Sequence, residues 1–149
     1  FFLSFPVFII VPFANLSSVH VSHDPAVHIP LTRIRVFLLG FSQGSVIAHA
    51  LLLRGQGPVA GSAACSGRLV EEVFGDATSA EHLDGRRLFV SHGRFDDVIP
   101  VDCGRRIRDW YASTPVVMEY HEYDMAHGLN PECVSDLGRW CTSVLESVQ

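Results

Sequence analysis

The chain has 149 residues, a formal net charge of −5 and a hydrophobic content of 48%. This length predicts one domain with a core of its own, and the mean hydropathy of +0.24 favours a sheet covered by helices on both faces. The charge argues against a nucleic-acid-binding protein, since no basic patch stands out. The nearest to one is Arg105, Arg106 and Arg108, which we expect on the solvated face of a helix.

Residues 1–30 form a leader that we leave unassigned. Phe1 to Phe13 is almost entirely apolar, but Pro6 and Pro12 interrupt it, and it is too short to cross a membrane. It lacks the positive segment of a signal peptide, although a secretory remnant stays an alternative. We expect a buried strand at residues 7–11 and no stable membrane insertion.

Strand and helix patterns alternate over the α/β portion, residues 31–149. We predict four strands, at residues 34–39, 59–65, 87–91 and 116–120, and three helices, at residues 45–54, 101–111 and 131–148. Residues 68–85 read as a short helix with a loop, and Pro131 suits the first turn of the last helix. This alternation predicts a mostly parallel sheet flanked by helices.

The segment Gly40-Phe41-Ser42-Gln43-Gly44, here called the elbow, follows the first of these strands and opens the first helix. In that context Gly-x-Ser-x-Gly predicts a nucleophile elbow, with Ser42 on a sharp turn. Gly40 and Gly44 would be needed because the strand and the helix nearly touch there. The N–H of Gln43 would point at a reacting carbonyl, as one donor of an oxyanion hole. An inert glycine-rich turn is the other interpretation, which the apolar flanks disfavour.

A serine nucleophile needs a base, and the base needs an acid that orients it. Asp96 and Asp97 follow the strand at residues 87–91 and are the acid candidates; the alternative is that this pair only caps the next helix. Both roles are compatible if one of the two is catalytic and Asp102, which is better placed, is the cap. His127 follows the strand at residues 116–120 and is the base candidate, with Gly128 expected to permit a tight loop. The order serine, acid, histidine is that of an α/β-hydrolase.

The remaining histidines and the cysteines give no sign of a metal site. We expect His92 to be structural, with a hydrogen bond near the site. The spacings of Cys65, Cys103, Cys133 and Cys141 fit neither zinc nor a disulfide scaffold. Reduced thiols favour a cytoplasmic location.

Three segments resemble the phospholipase/carboxylesterase family of α/β-hydrolases, which includes the acyl-protein thioesterases. They are the elbow, the segment His92-Gly93-x-x-Asp96-x-Val98-Ile99-Pro100, and Tyr123 to Gly128. The resemblance covers the chain from about Leu31 to its C-terminus and assigns the acid role to Asp96. It implies a Ser42–His127–Asp96 triad, no cofactor and no metal, with an ester or an acylated-protein thioester as substrate.

The family's glycine-rich loop, which supplies a second oxyanion N–H, has no counterpart in residues 1–30. We therefore expect the chain to be the C-terminal portion of the fold. A catalytically impaired fragment that acts as a binding module is the alternative function. Strand edges left uncovered by absent strands would favour a homodimer.

Overall fold

Five parallel strands form one sheet in the computed structural model, which describes residues 6–11, 35–55, 59–70 and 83–147. The strands are neighbours in chain order: β1 (Pro6–Val11), β2 (Arg35–Phe41), β3 (Val59–Cys65), β4 (Arg87–Gly93) and β5 (Val117–Tyr123). Because every strand runs the same way, all carboxyl ends meet at one edge of the sheet. The predicted α/β class with a parallel sheet is confirmed, and β1 occupies the position expected for a strand in the leader.

Three helices cover the two faces of this sheet: α1 (Gln43–Leu53), α2 (Val101–Tyr111) and α3 (Pro131–Glu146). α1 and α2 pack on one face, and α3 packs on the other. Asn130 caps α3 by accepting a hydrogen bond from the N–H of Cys133 at 2.8 Å, and Pro131 takes the first turn as predicted.

Successive side chains of the central strands point to opposite faces of the sheet, and they form one buried cluster on each face. On the α3 face, the rings of Phe37 and Phe89 surround Trp140, and all three are buried. On the α1 and α2 face, Leu88 and Val90 pack against Leu52, Ile107 and Tyr111. Each such aliphatic or aromatic side chain contributes about 1.5–3 kcal/mol by leaving water, so the sheet is anchored from both sides.

The predicted ends of three strands were wrong. β2 continues to Phe41, β4 to Gly93 and β5 to Tyr123, two or three residues beyond the apolar runs. Backbone pairing is the reason, because Phe41 pairs with Cys65 and Gly93 pairs with Tyr123 whatever their side chains are. The polar and glycine residues of the motifs therefore lie on the strands themselves.

The alternative interpretation, in which an aspartate caps α2, was wrong as well. Pro100 occupies the cap position and no side chain accepts a hydrogen bond there. Asp102 lies in the first turn and pairs with Arg105 at 3.0 Å. The domain boundary predicted at residues 30 and 31, and most of the predicted short helix between residues 68 and 85, lie outside the described residues. No helix among the described segments is long and apolar enough to cross a membrane.

Candidate active site

Ser42 lies at the carboxyl end of β2, immediately before α1, in a strained conformation. Its φ of 55° and ψ of −117° are values that a residue with a side chain rarely adopts, at a cost of about 1–3 kcal/mol. Its N–H donates to the carbonyl of Cys65 at 2.9 Å, which ties the turn to the end of β3. The surrounding structure therefore holds the serine in the geometry that the elbow motif predicts.

Close packing fixes the elbow. A Cβ on Gly40 would lie 2.2 Å from the carbonyl oxygen of Gly44, so the first and last residues of the motif touch through their backbones. Behind the turn, the Ser45 hydroxyl donates to the carbonyl of Ser42 at 2.6 Å. A Cβ on Gly67 would lie 1.9 Å from that hydroxyl oxygen, so the segment after β3 also needs a glycine.

Asp96 lies in the loop that follows β4, residues 94–100, here called the acid loop. Its side chain is fully buried, and its Oδ1 accepts the N–H groups of Val98 and Ile99 at 3.0 and 2.8 Å. Burial alone would raise the pKa of Asp96, but the N–H of Ile99, the imidazole of His127 and the N–H of Val98 together hold it below its ordinary value. The carboxylate is therefore ionised at neutral pH.

His127 lies in the loop that follows β5, residues 124–130, here called the histidine loop. Its Nδ1 lies 2.8 Å from Oδ2 of Asp96, and because the carboxylate can only accept, Nδ1 carries the proton. The ring of Phe41, one residue before Ser42, packs against the imidazole with 4.8 Å between ring centroids. The structure thus brings Asp96 to His127 directly, and His127 to the elbow through Phe41. Asp97 is exposed.

The acid and histidine loops are pressed together by the ends of β4 and β5. The N–H of Phe95 donates to the carbonyl of Met125 at 3.1 Å. A Cβ on Gly93 would lie 2.4 Å from the carbonyl oxygens of both Met125 and Ala126. Gly93 is therefore the glycine that this arrangement requires. The role expected for Gly128 was wrong, because its φ is not positive and a Cβ there would meet open space.

A cavity of about 220 Å³, here called the elbow pocket, opens beside Ser42. Its polar lining residues are Ser42, Gln43 and Arg68. Its apolar walls come from four aliphatic side chains: Val46, Ile47, Val70 and Ile99. The pocket can hold a small apolar group next to the serine hydroxyl.

Several residues that shape this site were not singled out from the sequence. Ser45 and Gly67 support the elbow, and Gly93 lets the two loops meet. The glycine of the His92-Gly93 pair belongs to a motif, and Ser45 lies only three residues from the carbonyl that it binds, whereas the contact between Gly67 and Ser45 joins segments distant in the chain. Within the described ranges, no group of three His, Cys, Asp or Glu side chains is arranged to hold a metal ion.

Chemically, the arrangement offers three elements at one edge of the sheet. It holds a strained serine at a helix start, an ionised buried carboxylate, and an imidazole whose Nδ1 is committed to that carboxylate. An imidazole with Nδ1 protonated has its Nε2 lone pair available to accept a proton.

Comparison with known proteins gives this site a family context. The model of the phospholipase/carboxylesterase family matches residues 15–144. The solved structures that share the fold include the following three proteins. Acyl-protein thioesterase 2 of Zea mays is 21% identical with a TM-score of 0.68, over 79% of this chain and 59% of that one.

The other two are SOBER1 of Arabidopsis thaliana and the carboxylesterase of Bacillus cereus. SOBER1 is 20% identical with a TM-score of 0.64, over 82% of this chain and 58% of that one. The carboxylesterase is 15% identical with a TM-score of 0.59, over 77% of this chain and 51% of that one. The chain thus spans between 51% and 59% of the lengths of the three proteins.

These likenesses show the α/β-hydrolase fold, and the family model covers most of the sequence, including all three motif segments. The chain belongs to the phospholipase/carboxylesterase family.

Proposed function

We propose that this chain carries the catalytic apparatus of a serine hydrolase that cleaves carboxylic esters or thioesters. The observation that carries the proposal is the 2.8 Å hydrogen bond between Nδ1 of His127 and Oδ2 of Asp96, beside a strained serine at a strand-to-helix turn. A neutral histidine oriented in this way is the base that a serine hydroxyl requires.

In the proposed reaction, the Ser42 Oγ attacks the acyl carbonyl carbon while Nε2 of His127 removes the hydroxyl proton. The tetrahedral intermediate collapses, the bond to the alcohol or thiol breaks, and the leaving group takes that proton from Nε2. Water then attacks the acyl-enzyme with the same histidine as base, which releases the carboxylic acid and restores Ser42. Asp96 remains ionised and stabilises the imidazolium formed in each half-reaction.

The start of α1 is proposed to stabilise the oxyanion of each tetrahedral intermediate. Gln43 is the first helical residue, and N–H groups of a first turn have no acceptor within their own helix. A backbone donor aimed at the developing oxyanion accelerates such reactions by about 100- to 1,000-fold. No metal or organic cofactor takes part in this scheme.

The elbow pocket supports an apolar group next to the scissile bond. Its walls are aliphatic and its volume of about 220 Å³ is below the roughly 300 Å³ at which pockets for drug-sized ligands begin. We propose the acyl part of a small-molecule ester or of an acylated-protein thioester as the occupant.

A fluorophosphonate probe tests the proposal, because it phosphonylates an activated serine and spares ordinary ones. Mass spectrometry of folded protein should find the adduct on Ser42, and Ser42→Ala should carry none. Ser62, which is buried on β3, serves as the matched serine, and Ser62→Ala should label like the parent chain. Folded parent protein without an adduct on Ser42 would refute the assignment.

The second candidate function is a catalytically impaired binding module. The match covers 51% to 59% of the related structures and leaves the rest of their fold uncompared with this chain, so the impaired module is kept as the second candidate. Turnover of p-nitrophenyl acetate separates the two functions. Hydrolysis that disappears in Ser42→Ala supports the enzyme, whereas phosphonylation without hydrolysis supports the impaired module.

A further inference from the structure

His92 lies at the end of β4, two residues before the acid loop begins to turn, and its side chain is fully buried. Its Nε2 lies 2.8 Å from the carbonyl oxygen of Ile99. A carbonyl oxygen can only accept, so Nε2 carries the proton and donates it. The tautomer of this histidine is therefore determined by the acid loop.

The accepting peptide group is the one that holds the carboxylate. Ile99 receives the hydrogen bond from His92 at its carbonyl, and its N–H donates to Oδ1 of Asp96 at 2.8 Å. The same Nε2 lies 3.4 Å from Oδ2 of Asp96, the oxygen that binds His127. A line of contacts thus runs from a buried imidazole, through Ile99 and Asp96, to the second imidazole.

The rest of the His92 ring is held by packing. A Cβ on Gly104, in the first turns of α2, would lie 2.7 Å from Nδ1 and 2.9 Å from Cγ. This Nδ1 is buried and has no hydrogen-bond partner among the described residues. An unpaired buried nitrogen costs free energy, which the polar contacts of Nε2 with the Ile99 carbonyl and with Oδ2 of Asp96 offset.

We propose that His92 is a positioning residue for the reaction: its Nε2–H fixes the peptide of Ile99, which holds the Asp96 carboxylate in line with Nδ1 of His127. The proposal rests on the proposed function only for its kinetic consequence. A positioning role differs from a purely structural one in what it requires of the side chain. Positioning requires a hydrogen-bond donor at Nε2, whereas a structural role requires only a side chain with the volume of histidine.

Three substitutions separate these roles. His92→Gln places an amide N–H three bonds from Cβ, as Nε2 is, and should preserve the donor. His92→Asn places its N–H two bonds from Cβ, on the side of Nδ1 and Gly104, and should not. His92→Leu has no donor. Urea denaturation shows whether each variant is folded. If His92→Leu does not fold, the two polar variants, His92→Gln and His92→Asn, still compare a side chain that has the donor with one that lacks it.

The first measurement needs no turnover. Long-range ¹H–¹⁵N correlation spectra at about pH 8, above the ordinary histidine pKa, report which ring nitrogen of each histidine is protonated. In the parent chain we expect His92 protonated at Nε2 and His127 protonated at Nδ1. His127 should remain so in His92→Gln and become a mixture of tautomers in His92→Asn and His92→Leu. A His127 tautomer that is the same in folded parent and folded His92→Asn would overturn the proposal.

The second measurement is the hydrolysis of p-nitrophenyl acetate. A misplaced carboxylate should lower kcat by about 10- to 100-fold in His92→Asn and His92→Leu, with KM changed less than about twofold. His92→Gln should stay within about fivefold of the parent kcat. If kcat falls equally in the Gln and Asn variants, and in proportion to their loss of folding stability, His92 has a structural role instead. A parent chain without turnover would refute the proposed function, while the tautomers of His127 would still decide the role of His92.

Discussion

The elbow and the pair of loops that face it are held in place by different forces. The elbow is fixed by exclusion: the backbones at Gly40 and Gly44 leave no room for a Cβ, and Ser42 keeps a strained φ of 55° between them. The acid and histidine loops are fixed by directed hydrogen bonds, three of them to the carboxylate of Asp96.

This difference predicts how each region fails. Steric contacts do not depend on protonation, so damage to the elbow should appear as lost folding stability at every pH. The Asp96–His127 pair depends on which atoms carry protons, so neutralising the carboxylate should abolish activity while the packing changes little. Mutations in each region test whether the elbow fails through stability and the two loops through activity.

The largest effect is expected from Asp96→Asn. An amide has one accepting oxygen, and the N–H groups of Val98 and Ile99 occupy it. Its NH₂ group then faces Nδ1 of His127 and cannot accept the proton there, so the imidazole loses its orientation. We expect kcat to fall by about 1,000- to 10,000-fold. The matched control is Asp97→Asn, at the exposed neighbour, which should remain within about twofold. Steady-state kinetics on p-nitrophenyl acetate measures both, and a larger loss in Asp97→Asn would show that the wrong aspartate was chosen.

Gly40→Ala should break the elbow through stability. The new Cβ would meet the carbonyl of Gly44 at 2.2 Å, and backbone cannot move aside as a flexible side chain can. We expect the free energy of unfolding to fall by about 3 kcal/mol. Urea denaturation measures this loss, provided that the dependence of the free energy on urea concentration has the same slope in both proteins. Gly138→Ala, in α3 with open space around its Cβ position, is the control and should stabilise the chain by up to about 1 kcal/mol. Equal midpoints for the two variants would contradict the steric account.

Gly93→Ala tests whether packing also matters between the two loops. Its Cβ would lie 2.4 Å from the carbonyl oxygens of Met125 and Ala126, which should push the histidine loop away from Asp96. A displacement of this kind should lower kcat about 100-fold. Gly128→Ala has open space and should leave kcat within about twofold. If Gly93→Ala keeps full turnover, hydrogen bonds alone suffice to align the loops.

The smallest effect concerns the ion pair beside the acid loop. Hydrogen bonding from Arg105 lowers the pKa of Glu122 from 4.5 to about 2. A lowered pKa means that the stabilisation is present above about pH 4.5 and is lost as the pH falls towards 2. Glu122→Gln should therefore be about 1 kcal/mol less stable than the parent at pH 7, and the difference should shrink below pH 4.5. Urea denaturation at several pH values checks this, and a difference that does not vary with pH would contradict it.

Much of the fold and part of the site could be predicted from local patterns. Short segments of the sequence contain the elbow motif, the apolar runs of the strands, and the three site residues Ser42, Asp96 and His127 in that order. The hydrogen bond between Asp96 and His127 agrees with that order. The ends of β2, β4 and β5 were missed, because strand pairing continues through residues whose side chains do not favour a strand. The need for Gly93 was missed because it depends on contacts with the histidine loop.

By itself, the sequence determined the alternation of strands and helices, the position of the turn that carries Ser42, and the family. These follow from hydrophobic period and from residues within five positions of one another. Only the tertiary structure decided that one oxygen of Asp96 accepts two backbone N–H groups while the other binds His127, that Nε2 of His92 donates to the carbonyl of Ile99, and that Gly93 lets the two loops meet. Each of these depends on the distance between atoms of separate strands and loops, which the register of the parallel sheet sets and no single segment records.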